Sequence, residues 1–192
     1  MDALRKEDKR YTYADYYAWD DGLRWELIEG VPYAMSPAPT WLHQELSFNI
    51  ATQLHAFLKG KPCKVFTAPV DVRLNANDGD DTVVQPDILV VCDRSKLDDK
   101  CCNGAPDMVV EILSPTSKRH DRIVKFQQYK KAGVREFWIV DPETKSVSAH
   151  ILNNGEYTIR VYSGEDKAPV HVLEGCTIDL SEVFTEDEEE AL

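Results

Sequence analysis

Residues 83–91 read VVQPDILVV, and residues 106–114 read PDMVVEILS. Both are runs of apolar, mostly β-branched residues, a pattern typical of strands buried in a sheet. A carboxylate interrupts the apolar part of each run, Asp87 in the first and Glu111 in the second. Burying an ionised carboxylate costs several kcal/mol without compensation, and two such groups on neighbouring strands repel each other. A divalent cation such as Mg²⁺ is the simplest compensation, because hard cations take oxygen ligands.

Each carboxylate also has an ordinary structural interpretation. Asp87 follows Pro86, and Pro-Asp is common in turns. Glu111 falls on the same strand face as Val109 and Leu113, a face that should be packed, so a buried salt bridge to an arginine would also explain it. The separation of 24 residues between Asp87 and Glu111 is compatible with two adjacent strands joined by a polar loop. Both interpretations stay open at this point.

A third element of interest is a helix predicted from Ser117 to Ala132, with Gly133 as the residue that ends it. Asp121, Lys125 and Tyr129 recur every four residues and therefore share one helical face. Taken alone, Asp121 and Lys125 would form a surface ion pair of a few tenths of a kcal/mol. Beside two buried carboxylates, Lys125 becomes a candidate member of the same site.

The remaining pattern predicts a mixed α/β protein, with one central mixed sheet and flanking helices. The core order is helix, strand, strand, strand, helix, strand, with an N-terminal hairpin before it and a C-terminal hairpin after it that turns at Asn154-Gly155. We expect one domain over residues 1–185 and an acidic tail at 186–192. The predicted helices are 13–18, 41–58 and 117–132, and the predicted strands are 23–28, 31–35, 65–74, 83–91, 106–114, 134–140, 147–152 and 157–162.

The composition excludes several classes of protein. No apolar run approaches the roughly 18–20 residues that span a bilayer. The charged N-terminus lacks the apolar core of a secretory signal, so we expect a cytoplasmic location. The cysteines are odd in number and none has CxxC spacing, which argues against a disulfide framework and against a zinc site. We therefore expect five reduced cysteines, Cys63, Cys92, Cys101, Cys102 and Cys176.

The net charge of −12 disfavours a nucleic-acid partner at first sight, but the charge is unevenly distributed. Residues 186–190 are all acidic, whereas residues 118–135 hold seven basic residues against one acid. A basic helix beside the carboxylates could face a phosphate backbone, and a solvated helix face is the alternative. The seven basic residues are Lys118, Arg119, Arg122, Lys125, Lys130, Lys131 and Arg135.

Two further polar residues stand out. Glu26 interrupts a hydrophobic strand, as Glu111 does. His43 lies near the start of the helix predicted at 41–58, where a single histidine is more often a core or surface residue than a ligand.

Together these segments resemble the PD-(D/E)XK nuclease superfamily, and within it the Uma-two endonuclease-like family. The resemblance covers roughly residues 12–180 and implies a restriction-endonuclease-like core. In the superfamily a lysine stands two residues after the glutamate, where this chain has Leu113, and the family pattern implies that Lys125 replaces it. The matching stretches are WELIEG (25–30), MSPAP (35–39), His43, PDI (86–88), VEILSP (110–115), Asp121, Lys125, Tyr129 and GVREFWIVDP (133–142).

The resemblance implies a metal-dependent endonuclease that hydrolyses DNA phosphodiester bonds. Asp87 and Glu111, helped by the backbone carbonyl of Ile112, would bind Mg²⁺ or Mn²⁺. Lys125 would complete the catalytic set by orienting a water molecule or neutralising the phosphate. The residues implied to surround this set or to contact substrate are Glu26, His43, Asp121 and Tyr129.

Two alternatives remain, because the superfamily also contains members without nuclease activity. The first is a catalytically inactive member that binds nucleic acid or another protein. The second is a structural dimerising domain, a homodimer in which Glu111 and Lys125 simply form a buried ion pair.

Overall fold

The main sheet has six strands, which are β3 (Lys64–Thr67), β6 (Ile88–Val91), β8 (Met108–Ile112), β9 (Glu136–Asp141), β10 (Ser146–Asn153) and β11 (Glu156–Ser163). Across the sheet they lie in the order β11-β10-β9-β8-β6-β3. The computed structural model describes residues 9–35, 38–115 and 120–185. Strand β6 pairs antiparallel with both β3 and β8, while β8 and β9 are parallel and are joined by a helical crossover. The C-terminal hairpin, β10 and β11, extends the sheet as predicted.

Both faces of the central strands are covered, which explains why their sequences are continuous apolar runs. Helix α2 (Trp41–Leu58) buries Leu46, Ile50 and Leu54 against the face formed by Ile88, Val90 and other residues of the main sheet. The intervening residues of the same strands, such as Leu89, face the opposite core. The prediction of a mixed sheet with helices on it is therefore confirmed.

The crossover between β8 and β9 is helical but not a regular α-helix throughout. Residues His120–Lys125 form a π-helical turn, a local widening often found at functional sites. It continues into α3 (Phe126–Ala132). Gly133 has φ of 84°, and its N–H bonds to the carbonyls of Tyr129 and Lys130, so it ends the helix as predicted. The predicted start at Ser117 lies outside the described residues.

A second sheet has five strands, which are β1 (Trp25–Ile28), β2 (Val31–Ala34), β4 (Asp71–Arg73), β5 (Val83–Val84) and β7 (Cys101–Asn103). They lie in the order β2-β1-β5-β4-β7. The N-terminal hairpin, β1 and β2, was predicted, but β7 was not, since it lies in the polar loop expected between the strands at 83–91 and 106–114. Two predicted strands, 65–74 and 83–91, are each divided between the two sheets.

Proline explains both divisions. Pro69, which follows a cis peptide bond, separates β3 from β4, and Pro86 separates β5 from β6. A proline has no N–H to donate to a strand ladder, so it does not occupy the middle of a central strand. The chain changes sheet at each of these points. As a result, Asp87 lies at the junction of the two sheets, immediately before β6.

The rest of the described chain forms a few short elements outside the two larger sheets. Residues 186–192, the predicted acidic tail, lie outside the described residues. Within the described ranges, no helix combines the length and the apolar character needed to cross a membrane. The remaining elements are α1 (Tyr13–Tyr17), the two-stranded sheet of β12 (Lys167–Pro169) and β13 (Thr177–Asp179), and short 3₁₀ turns at Arg94–Lys96 and Leu180–Glu182.

The expectation of five reduced cysteines is wrong for one pair. Cys63 and Cys92 form a disulfide, with Cα atoms 3.9 Å apart. Cys63 precedes Lys64, the first residue of β3, and Cys92 follows Val91, the last residue of β6. Because Lys64 pairs with Val91, the antiparallel ladder places the two cysteines opposite each other. A separation of 29 residues hides this pairing in the sequence. Cys101, Cys102 and Cys176 are free and buried.

The disulfide predicts a thiol count. In denaturant without reductant, three thiols per chain should react with a thiol reagent, and all five should react after reduction. Replacing both Cys63 and Cys92 by serine should lower the free energy of unfolding by about 2–4 kcal/mol, because the cross-link restricts the unfolded chain. Reductant should destabilise the wild type and leave the double variant unchanged. Five reactive thiols before reduction would contradict the disulfide.

Candidate active site

A cavity of about 640 Å³ collects most of the polar residues singled out above. Both sheets, the start of α2 and the helical crossover contribute to its walls. Its apolar rim includes Met35, Leu42, Pro69 and Pro115. The charged residues that line it are Arg24, Glu26, His43, Asp87, Glu111, Asp121, Lys125 and Glu143.

The ladder between β6 and β8 brings Asp87 and Glu111 together. Its last pair is Ile88 with Val110, so one further step in the same antiparallel register sets Asp87 opposite Glu111. Side chains at opposite positions of a ladder emerge on the same face. Both residues line the cavity, Glu111 fully buried and Asp87 partly exposed at its mouth. The backbone N–H of Ile112 donates a hydrogen bond to Oδ2 of Asp87 at 2.7 Å.

The Lys125 ammonium is the centre of the buried part of the site. Its Nζ lies 2.8 Å from Oε1 of Glu26, 3.0 Å from Oε1 of Glu111 and 3.6 Å from Oδ1 of Asp121. All four side chains are at most 5% exposed. They come from three places in the fold, since Glu26 is on β1, Glu111 on β8 and the other two on the π-helical turn. The lysine therefore joins both sheets to the crossover.

Two neutral donors complete the contacts of these carboxylates. The Tyr129 hydroxyl donates to Oε1 of Glu111 at 2.6 Å, from the next turn of the crossover helix. The backbone N–H of Gln85 donates to Oε1 of Glu26 at 2.9 Å. The shared face of Asp121, Lys125 and Tyr129 expected from their spacing thus points at Glu111, although the helix is π-helical around the first two.

His43 occupies the outer part of the site, beside Asp87. Its Nε2 lies 3.2 Å from Oδ2 of Asp87 and 3.1 Å from the carbonyl oxygen of Ile112, so an Nε2–H group can donate to both. Burial disfavours the protonated ring, but the hydrogen bond and charge of Asp87, with the Ile112 carbonyl, outweigh burial and raise the pKa of His43. Its buried Nδ1 has no hydrogen-bond partner within the described part of the chain.

The site carries more negative than positive charge. Of the charged residues that line the cavity, five are acids and three, Arg24, His43 and Lys125, are basic. Burial raises the pKa of Glu111 well above its usual range, and the nearby ammonium opposes that rise without cancelling it. Three of the other acids raise it further. Burial also works against the Lys125 ammonium, but the surrounding carboxylates outweigh it and raise the lysine pKa well above its usual range.

Of the five predicted basic residues that the structure describes, only Lys125 lines this cavity. Lys118 and Arg119 lie outside the described residues. The other four each have an acidic partner outside the cavity, in the pairs Arg122–Asp141, Lys130–Glu156, Lys131–Glu29 and Arg135–Asp107.

Gln85 was not predicted as a site residue, and the structure places it in the wall of the cavity. It stands between an apolar pair and Pro86, where it looks like an ordinary strand residue. The partner expected for Glu111 in a buried salt bridge was an arginine, and the structure has Lys125 in that place. The buried ion pair of the structural alternative is therefore present, as part of a larger cluster.

The donor chemistry of the site suits a hard cation. Asp87, Glu111 and the carbonyl of Ile112 offer only oxygen atoms, and Mg²⁺ binds through one or two carboxylates while keeping several waters. Across the described ranges, no group of three or more His, Cys, Asp or Glu side chains is arranged to hold a metal ion. These residues thus fit a cation bound by two carboxylates and water, and do not fit a closed cage of protein ligands.

Comparison with other proteins places the chain in a family. Residues 13–181 match the Uma2 family, which is described as "putative restriction endonuclease". The uncharacterised protein slr1290 of Synechocystis sp. (strain ATCC 27184 / PCC 6803 / Kazusa) is 25% identical over 157 residues, 80% of this chain and 80% of that protein. A crystal structure from Anabaena variabilis ATCC 29413, described as "a putative nuclease belonging to DUF820", matches with a TM-score of 0.73 and 18% identity, over 91% of this chain and 97% of that chain.

The structural match confirms the predicted restriction-endonuclease-like fold. The family match extends from α1 to the 3₁₀ turn that follows β13, so it includes both sheets and every charged residue that lines the cavity. The chain belongs to the Uma2 family, as the resemblance of its sequence motifs predicted.

Proposed function

We propose that the protein is a metal-dependent endonuclease that hydrolyses DNA phosphodiester bonds. The observation that carries the proposal is the convergence of four carboxylates and one lysine in a single cavity. The description of the family as "putative restriction endonuclease" supports the same reaction class. We expect the enzyme to act in the cytoplasm, and a homodimer stays a prediction.

Asp87, Glu111 and the carbonyl oxygen of Ile112 would hold the cation, Mg²⁺ or Mn²⁺. When bound, such a cation lowers the pKa of a coordinated water and stabilises charge on the scissile phosphate. The excess of carboxylates over cationic side chains supports this assignment, since an additional positive charge would relieve their mutual repulsion.

Neighbouring residues orient the two carboxylates that would hold the cation. The N–H of Ile112 and the ring of His43 hold the carboxylate of Asp87, and Tyr129 with Lys125 holds that of Glu111. These contacts restrict the side chains before substrate arrives, which lowers the cost of ordering them in the reaction. Lys125 would orient the attacking water or neutralise charge on the phosphate.

The second candidate is a structural role for the same cluster, and the 3.0 Å contact between Glu111 and Lys125 favours it. In that case the cluster only joins the two sheets and the crossover. A catalytically inactive member of the family would keep the cluster and bind nucleic acid or protein without turnover. Cleavage and metal binding separate these readings from the endonuclease.

The first test is cleavage. The wild type should cut plasmid DNA with Mg²⁺ or Mn²⁺ and not with EDTA, and Asp87→Asn and Glu111→Gln should each abolish cutting, because each removes a charged metal ligand. Mn²⁺ should raise the melting temperature of the wild type and not of these variants. Glu174→Gln is the matched control, since Glu174 is exposed and does not line the cavity. Cutting by both site variants at the wild-type rate would refute the proposal.

The second test compares two substitutions in the buried cluster. Lys125→Met leaves three buried carboxylates without their cation, so it should destabilise the fold by about 3–5 kcal/mol. Glu111→Gln leaves the lysine with Glu26 and Asp121, so its stability should stay within about 1 kcal/mol of the wild type. Urea denaturation without metal measures both values. Equal losses of several kcal/mol would show that Glu111 and Lys125 form a simple pair, with no excess of acid to be relieved.

A further inference from the structure

A nuclease needs positive charge that is free to contact phosphate, and the described lining of the cavity offers three basic side chains. Lys125 is buried among three carboxylates, two of them within hydrogen-bond distance of its ammonium group. His43 directs Nε2 to Asp87 and to the carbonyl of Ile112. Neither can bind a phosphate without giving up these contacts.

Arg24 is the third, and its surroundings differ. It precedes β1, is exposed, and lines the cavity. Its Nε and Nη2 donate to Oε1 of Gln85, at 3.2 and 2.5 Å. No acidic side chain in the described ranges pairs with it. A guanidinium has five N–H groups, and a neutral amide cancels none of its charge, so Arg24 keeps a full positive charge and unused donors.

The orientation of Gln85 is determined by the groups behind it. Its Nε2 donates to Oδ1 of Asp71 at 2.8 Å and to the Tyr16 hydroxyl at 3.1 Å. A carboxylate only accepts hydrogen bonds, so the amide nitrogen faces Asp71 and the amide oxygen must face Arg24. The Tyr16 hydroxyl also donates to Asp71, at 2.9 Å. This chain of contacts positions the guanidinium in advance.

The same glutamine connects Arg24 to the buried acids. While its side chain holds the guanidinium, its backbone N–H donates to Glu26, which contacts Lys125. The position of the arginine relative to the carboxylates is thus set by one residue. Apart from Lys125, the predicted basic residues that the structure describes offer no such arrangement, because each is paired with an acid outside the cavity.

We propose that Arg24 binds a backbone phosphate of the nucleic acid next to the bond that is cut. A guanidinium can donate two parallel hydrogen bonds to a phosphate, which fixes direction as well as supplying charge. The inference rests on the proposed function, and it assigns the phosphate contact to β1 and Gln85 rather than to the predicted basic helix.

The experiment measures DNA binding and cleavage separately. Binding of a short fluorescein-labelled DNA duplex is followed by anisotropy in EDTA, so that no cutting occurs, over a range of KCl concentrations. Arg24→Gln should weaken binding about tenfold or more and reduce the slope of log Kd against log salt by about one, as expected for one lost phosphate contact. Arg24→Lys should fall between Arg24→Gln and the wild type, because it keeps the charge and loses the paired donors.

Arg160→Gln is the matched control, since it removes the same charge from an exposed position on β11 that does not line the cavity. It should bind DNA within about twofold of the wild type, with a similar salt slope. In cleavage with Mn²⁺, Arg24→Gln should raise KM with little change in kcat, because the lost contact holds the substrate before and during the reaction. Thermal melts should show that both variants are folded.

The outcomes separate this inference from the endonuclease proposal. Equal binding by Arg24→Gln and Arg160→Gln overturns the inference, and cleavage by the wild type would then leave the endonuclease in place. A loss specific to Arg24 in a protein that cuts nothing with either metal supports the phosphate contact and refutes the endonuclease. A wild type that neither binds nor cuts DNA at low salt overturns both.

Discussion

The rest of the site depends on the contacts between the buried Lys125 ammonium and the carboxylates around it. The ammonium brings a carboxylate from β1 in the small sheet, another from β8 in the main sheet and a third from its own helical turn to within 3.6 Å of one nitrogen atom. Removing the lysine would leave these acids buried without a counter-charge. The junction of the two sheets is therefore held by this charged contact in addition to apolar packing, since one buried cluster includes Val72 and Val84 of the small sheet with Leu89 and Val109 of the main sheet.

Stability alone does not explain why this junction is charged. Buried ion networks can often be replaced by apolar residues of similar volume with no loss, or with a gain of about 1–4 kcal/mol. Here five acidic and three basic side chains line the cavity, so its charges do not balance. An imbalance of this kind is costly to the fold and useful to a site that binds cations, which is the physical basis of the proposed function.

The two prolines that divide the strands also place the site. Because Pro86 cannot donate to a ladder, the chain leaves β5 there and enters β6, and Gln85 and Asp87 stand on either side of it. Gln85 turns toward the small sheet and binds Glu26, while Asp87 turns toward β8. One interruption in an apolar run thus supplies a contact to each half of the cavity.

The sequence by itself determined the elements of the core and the chemical type of the site. The apolar runs had to be buried on both faces, and Asp87 and Glu111 within them needed compensation wherever they lay. Only the tertiary structure decided which groups compensate them. Lys125 rather than an arginine, the Cys63–Cys92 bond, and the contact of Arg24 with Gln85 across 61 residues all depend on strand register and sheet crossing. Such contacts join residues distant along the chain, so local composition and periodicity carry no record of them.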